Sequence, residues 1–161
     1  MRKINLNDVP SESSQSPKGK YAAVEKGISI ALGRAGEHWL PEENQPFDVE
    51  LASVPPGRLN FPYHSHSAQW EFYLFISGNG KIRHADGWTE IGAGDAFLFG
   101  PGEAHQICNS GTEDLVYYVI AENPIGDACY YPDSDKWAVA TDPKDEKIIK
   151  GQDADYYLGE E

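Results

Sequence analysis

Two cysteines, Cys108 and Cys129, are all the sulfhydryl chemistry in 161 residues. That is too few for a disulfide framework, and their isolation argues against a thiolate metal site, so two reduced thiols are expected. Positive charge is also scarce: 13 Lys and Arg stand against 26 Asp and Glu, a net charge of −13. Such a field repels phosphate backbones and anionic lipid, which disfavours nucleic-acid and membrane-surface roles. No helix-turn-helix pattern or basic patch points to a DNA-binding regulator. No apolar run approaches the roughly 18 residues of a membrane span. No apolar stretch of the signal-peptide kind follows Arg2 and Lys3, so a soluble, cytoplasmic protein is the expectation.

What the chain does contain is turns and aromatics. Sixteen Gly, 11 Pro, four Trp, nine Tyr and six Phe lean towards many short strands. A chain of this length buries roughly 68–70% of its unfolded surface, enough for a core without covalent staples. Three regions are read: an arm over 1–20, a barrel over 21–125, and an acidic extension over 126–161 packed on it. Residues 8–20, rich in Ser and Pro, read as a loop or arm ordered against the domain or a partner subunit.

From Tyr21 onwards short apolar segments alternate with turn signals. Residues 27–34 alternate with Ile28, Ile30 and Leu32 on one face. Residues 47–54 alternate with Phe47, Val49 and Leu51 on one face and acids on the other. Further strands are expected over 59–66, 71–77, 81–85, 88–91, 95–99, 104–109 and 114–122. Between them lie Gly78-Asn79-Gly80, Gly92-Ala93-Gly94-Asp95, Gly100-Pro101-Gly102 and Asn109-Ser110-Gly111. Strands recurring about every ten residues predict an antiparallel sandwich or barrel. The best helix candidate is 143–150, with Asp142 as N-cap, Pro143 at the first position and Gly151 past the end. The aromatics around Pro132-Asp133-Ser134-Asp135 suggest an added hairpin or packed tail covering a sheet edge.

His64 and His66 stand two apart, so on a strand both imidazoles leave the same face. Glu71 opens the next strand, and His105 heads another after Gly100-Pro101-Gly102. Three imidazoles and a carboxylate form a donor set suited to divalent first-row metals. His64-x-His66-x4-Glu71-x6-Gly78, then Gly94 and Pro101-Gly102-x2-His105-x3-Asn109, closely resembles the two sequence motifs of the cupin superfamily. The likeness has two departures: Gly57 precedes His64 by six intervening residues instead of five, and Gly100 stands where the motif has Pro.

The resemblance implies an all-β double-stranded β-helix, or jelly-roll barrel, with a short C-terminal helix or hairpin extension. It implies one divalent transition metal (Fe, Mn, Ni, Co or Zn) on His64, His66, Glu71 and His105. A small-molecule ligand and a homodimer are the expected partners. The leading function is a metal-dependent, dioxygenase-like enzyme acting on a small polar metabolite. The alternatives are a non-catalytic module binding a sugar or organic acid, and a sugar isomerase or epimerase.

Strand parity suggests pocket residues. Tyr73 and Phe75 share the face of Glu71, and Arg58 shares that of His64. Arg83 is a candidate inward anion anchor, which would turn His84 outward. Phe97 and Phe99 share a face of unassigned direction, and Cys108 is opposite in parity to His105. Tyr63, Gln69 and Trp70 flank the histidines near the expected mouth and complete the set. His38 is given no role.

Overall fold

The computed structural model describes residues 1–34, 46–142 and 145–160. His38 and Pro143 therefore lie outside the described residues. A six-stranded antiparallel sheet forms one wall, in the order β1 (Glu12–Gln15), β2 (Ala22–Gly27), β3 (Phe47–Val54), β10 (Leu115–Glu122), β5 (Glu71–Ser77), β8 (Ala96–Phe99). The opposing wall has two parts. One joins β13 (Asp145–Ile149), β12 (Lys136–Asp142), β11 (Ala128–Tyr131) and β4 (Ser65–His66). The other joins β7 (Gly87–Gly92), β6 (Asn79–His84) and β9 (Gln106–Cys108). A backbone bridge between His64, next to β4, and His105, next to β9, ties the two parts together. This is the expected all-β jelly roll. Among the described residues no helix is long and apolar enough to cross a membrane.

Period-two alternation builds the core. In β5 Glu71, Tyr73 and Phe75 are buried while Phe72 and Leu74 are only partly so. β10 sets Leu115 against Val54 and Tyr117 against Ala52, and all four are buried. Ile82, Ile107 and Phe99 close the same apolar cluster from the other strands. The register of β10 on β3 reverses the face suggested by the apolar stripe of 47–54. Val119 pairs with Glu50, so the even-numbered residues point inward and Phe47 is 52% exposed.

Two local expectations are corrected. Residues 27–34 do not form a strand: α1 (Ile28–Ala31) is a single helical turn, and the buried Ser29 accepts the Val49 N–H through its hydroxyl at 2.8 Å. The helix expected over 143–150 is replaced by β13, paired antiparallel with β12. There adjacent Ile148 and Ile149 favour extended backbone, and pairing outweighs the Asp142-Pro143 start signal. The arm is ordered against the domain, since β1 pairs with β2 along its length.

Two residues fix the turns that follow β5 and β9. Gly78 has φ +82°, and a Cβ there would lie 2.4 Å from the Asp114 carbonyl oxygen, so only glycine fits. Asn109 is fully buried and donates to the Val54 and Glu113 carbonyls at 2.6 and 2.8 Å. Its side-chain oxygen accepts the Gly111 N–H at 2.9 Å.

Candidate metal centre

Backbone pairing brings the four sequence-predicted donors together. His64 N–H donates to the His105 carbonyl at 3.1 Å, and His105 N–H returns the bond at 2.8 Å. Their rings consequently lie 4.9 Å apart, centroid to centroid. His66 follows on β4, and Glu71 enters from the first position of β5. Glu71 Oε2 stands 3.0 Å from His105 Nε2, 3.7 Å from His66 Nε2 and 4.0 Å from His64 Nε2.

Each imidazole is oriented by its other nitrogen. His64 Nδ1 lies 3.0 Å from the Pro62 carbonyl oxygen and His105 Nδ1 lies 3.1 Å from that of Glu103. His66 Nδ1 lies 2.5 Å from Asp127 Oδ2. All three partners are acceptors, which assigns the ring protons to Nδ1 and leaves the Nε2 lone pairs facing Glu71. Metal-binding histidines are commonly oriented in this way. Phe99 stacks on the His105 ring, with centroids 4.1 Å apart and planes within 9°. Phe61 meets the His64 ring edge-on at 4.7 Å.

The electrostatics follow from that geometry. Burial opposes ionisation of Glu71, but the His105 contact and the neighbouring His66 and His64 outweigh it and lower the carboxyl to about 2. Burial, reinforced by His105, lowers His64 to about 4. His66 is raised instead: burial opposes its charged form, yet its hydrogen bond to Asp127 prevails. Asp127 is lowered, its own burial cost being overcome by that same bond.

Glu71 Oε2 is buried and accepts no hydrogen bond of ordinary geometry, although His105 Nε2 stands 3.0 Å away. The Nε2 atoms of His64 and His66, that of His105 beside the Tyr73 hydroxyl, and an orphaned carboxylate oxygen form an arrangement that a cation would satisfy. The residues present therefore fit a divalent ion. His64, Glu71 and His105 offer ligand atoms within 4.8 Å of one another, and His66 Nε2 faces the same carboxylate oxygen.

A cavity of about 160 Å³ opens onto these donors, walled by Phe61, Pro62, Cys129 and Tyr131. The remaining candidates are more scattered. Tyr73 is fully buried with its hydroxyl 3.0 Å from His105 Nε2, so it touches the centre. Phe75 points inward but packs on Phe97 and Tyr117 in the core.

Arg83 does not enter the cavity: its guanidinium makes a two-point contact with Asp133 at 2.7 and 2.9 Å and lies over the Tyr63 ring at 4.0 Å. Arg58 donates to the Gly19 carbonyl at 2.6 Å, tying down the arm. Gln69 is buried and donates to the Glu122 carbonyl. Trp70 is 44% exposed and lies over Gly100, where a Cβ would come within 2.9 Å of its ring. His84 bonds to Thr89 at the surface.

Parity within a strand could not show these destinations, because each depends on the partner the side chain finds. Sequence reasoning also missed Asp127, Cys129 and Tyr131. They belong to the β11 hairpin beyond the motifs, and no spacing linked that segment to His66. Cys129 is a free thiol that the fold places beside His64 and His66, to which no sequence spacing linked it. It lines the cavity, with burial raising its thiol to about 12.

Comparison with known proteins agrees with this architecture. Residues 50–121 match the family model of the cupin domain. The oxalate-binding protein of Thermotoga maritima is 30% identical over 100 residues, which cover 58% of this chain and 82% of that protein. A sugar phosphate isomerase of the cupin superfamily from Silicibacter pomeroyi superposes with a TM-score of 0.76 at 20% identity, covering 92% of each chain. A polyketide cyclase from Streptomyces resistomycificus superposes with a TM-score of 0.60 at 20% identity, covering 77% of this chain and 80% of that one. These two likenesses speak to the fold. With the motif residues, the jelly-roll topology and the curated relative in agreement, the chain belongs to the cupin superfamily.

Proposed function

We propose that the chain is a mononuclear metal-dependent enzyme, dioxygenase-like in its chemistry, acting on a small oxygen-rich metabolite that chelates the ion. The observation that carries this reading is the convergence of three lone-pair nitrogens on an orphaned carboxylate beside a small cavity. A bound divalent ion with octahedral preference would supply Lewis acidity and two positions beyond these four ligands, whereas a tetrahedral one would be closed by them.

The chain's own residues hold and shield that centre. The Pro62 and Glu103 carbonyls and the Asp127 carboxylate keep the three imidazoles in the ligating tautomer. Phe99 and Phe61 fix two of the rings, and Phe61 and Tyr131 give the cavity beside the donors an aromatic wall. Tyr73 holds its proton, burial pushing its pKa well up, and presents a hydroxyl beside His105.

Outside the ligand set, no carboxylate or imidazole lines the cavity among the described residues, so a proton-shuttling isomerase lacks its base. No Lys or Arg lines it either, so a phosphorylated sugar would lack an anchor. Both points favour oxidation of a chelated ligand.

The second reading is a non-catalytic binding module, favoured by the Thermotoga relative, whose name describes a binder of oxalate. A homodimer through the outer face of the six-stranded sheet is supported by the exposure of Ile76, Leu98 and Ile120 there. The test of function is oxygen uptake by iron-reloaded protein across dicarboxylates, hydroxy acids and sugars. Uptake that requires one of them and disappears in Glu71→Ala supports the enzyme. Saturable binding without turnover under every ion supports the module.

A further inference from the structure

The centre has a neighbour that the four-ligand set does not use. In the pairing of β11 with β4, Cys129 sits directly opposite His66. Partners across a strand pair share a face, so the thiol projects from the side that carries the imidazole. Cys129 is 2% exposed and lines the same cavity as His64, His66 and Glu71. The ligating atoms of His64, His66 and Cys129 all lie within 4.8 Å of one another. The Tyr131 hydroxyl hydrogen-bonds to the sulfur, steadying it against the cavity wall.

We infer that Cys129 gives this centre a second coordination mode, in which His64, His66 and Cys129 together take a thiophilic cation such as Cd(II), Zn(II) or Cu(I). The inference rests on the metal-centre reading above and adds a selectivity to it. Two donor sets share His64 and His66: one completed by Glu71 and His105, the other by sulfur. Because they share ligands, one ion excludes the other. Hard and borderline ions are drawn to the carboxylate side, and soft ions to the thiolate side.

Metal–sulfur bonds of about 2.3 Å and metal–nitrogen bonds of about 2.0–2.1 Å require the three side chains to close in slightly around the ion. On binding, the S–H bond breaks, its proton passes to solvent and the sulfur lone pair forms the new bond; neither partner is oxidised or reduced. Engagement of the sulfur draws the ion away from His105, which shares no ligand group with Cys129. Thiophilic metals therefore displace the working ion rather than replace it.

The probe is Cd(II) added to chelator-stripped full-length protein carrying Cys108→Ala, so that Cys129 is its one thiol, with Mn(II) as the hard comparison ion. The expected result is one cadmium per chain, a sulfur-to-cadmium charge-transfer band saturating at one equivalent, and protection of the thiol from alkylation. Further substitution of Cys129→Ser should lower the ratio of cadmium to manganese affinity by at least about tenfold. The band and the alkylation protection are read on the intact thiol and do not depend on that variant folding. Cadmium bound without band or protection, or manganese bound and cadmium refused, overturns the inference while the centre stands. Refusal of both ions overturns the centre itself and the inference with it.

Discussion

Asp127 accepts the Nδ1 proton of His66 at 2.5 Å across 61 residues of sequence. Its other oxygen accepts from the Ala68 N–H at 2.7 Å and the Ser67 hydroxyl at 3.1 Å. One carboxylate therefore orients the His66 imidazole and holds the connection between β4 and β5. Asp127→Asn should weaken divalent-metal affinity about tenfold and Asp127→Ala by up to about 100-fold. Calorimetric titration measures this. Asp133→Asn, which touches Arg83 instead, should leave the affinity unchanged.

Asn109 shows how a motif residue outside the ligand set earns its place. Its side chain closes three backbone groups around the turn that follows β9. Asn109→Ala leaves the Val54 and Glu113 carbonyls without that donor and the Gly111 N–H without its acceptor. The expected cost is roughly 2–4 kcal/mol, since each buried orphan costs about 1–3 kcal/mol and the site relaxes in part. Urea denaturation reads the loss as a lower midpoint with an unchanged slope.

Glu50 makes stability depend on pH. It lines a pocket with Glu12 and Glu25, while Asp48 and Arg34 act on it from the strand end. Burial first, then Glu25 and Asp48, raise its pKa from 4.5 to about 7, with Arg34 opposing. The folded state thus retains a proton that the unfolded chain releases above 4.5. The stabilising protonation is complete below about 4.5 and is lost as pH rises through about 7. Glu50→Gln should raise the melting temperature at pH 8, on the order of 4 °C, and change it little at pH 4. An equal shift at both pH values would show that the carboxyl's charge is not the cause.

Part of this was legible in the sequence, from strand parity and from the resemblance of its two motifs to those of the cupin superfamily. The period of two placed Glu71, Tyr73 and Phe75 on one inward face, and the two motifs brought His64, His66 and His105 within reach of the Glu71 carboxylate. Two kinds of feature were not legible. Residues 47–54 show an apolar stripe, but which face turns inward is set by pairing with β10, which the strand itself does not encode. The supports from β11 lie about 60 residues from His66, and only the folded hairpin reveals that Asp127 and Cys129 meet it. Arg83 and Arg58 had suitable parity but found closer partners in Asp133 and Gly19.

The central claim is that His64, His66, Glu71 and His105 converge on one cation. Its most direct test is calorimetric titration of chelator-stripped protein with Mn(II) at neutral pH, alongside Glu71→Ala. The account predicts one ion bound per chain and at least about 100-fold weaker binding in the variant, which loses an anionic ligand. Failure of the unaltered protein to take up an ion, or equal uptake by the variant, would contradict it.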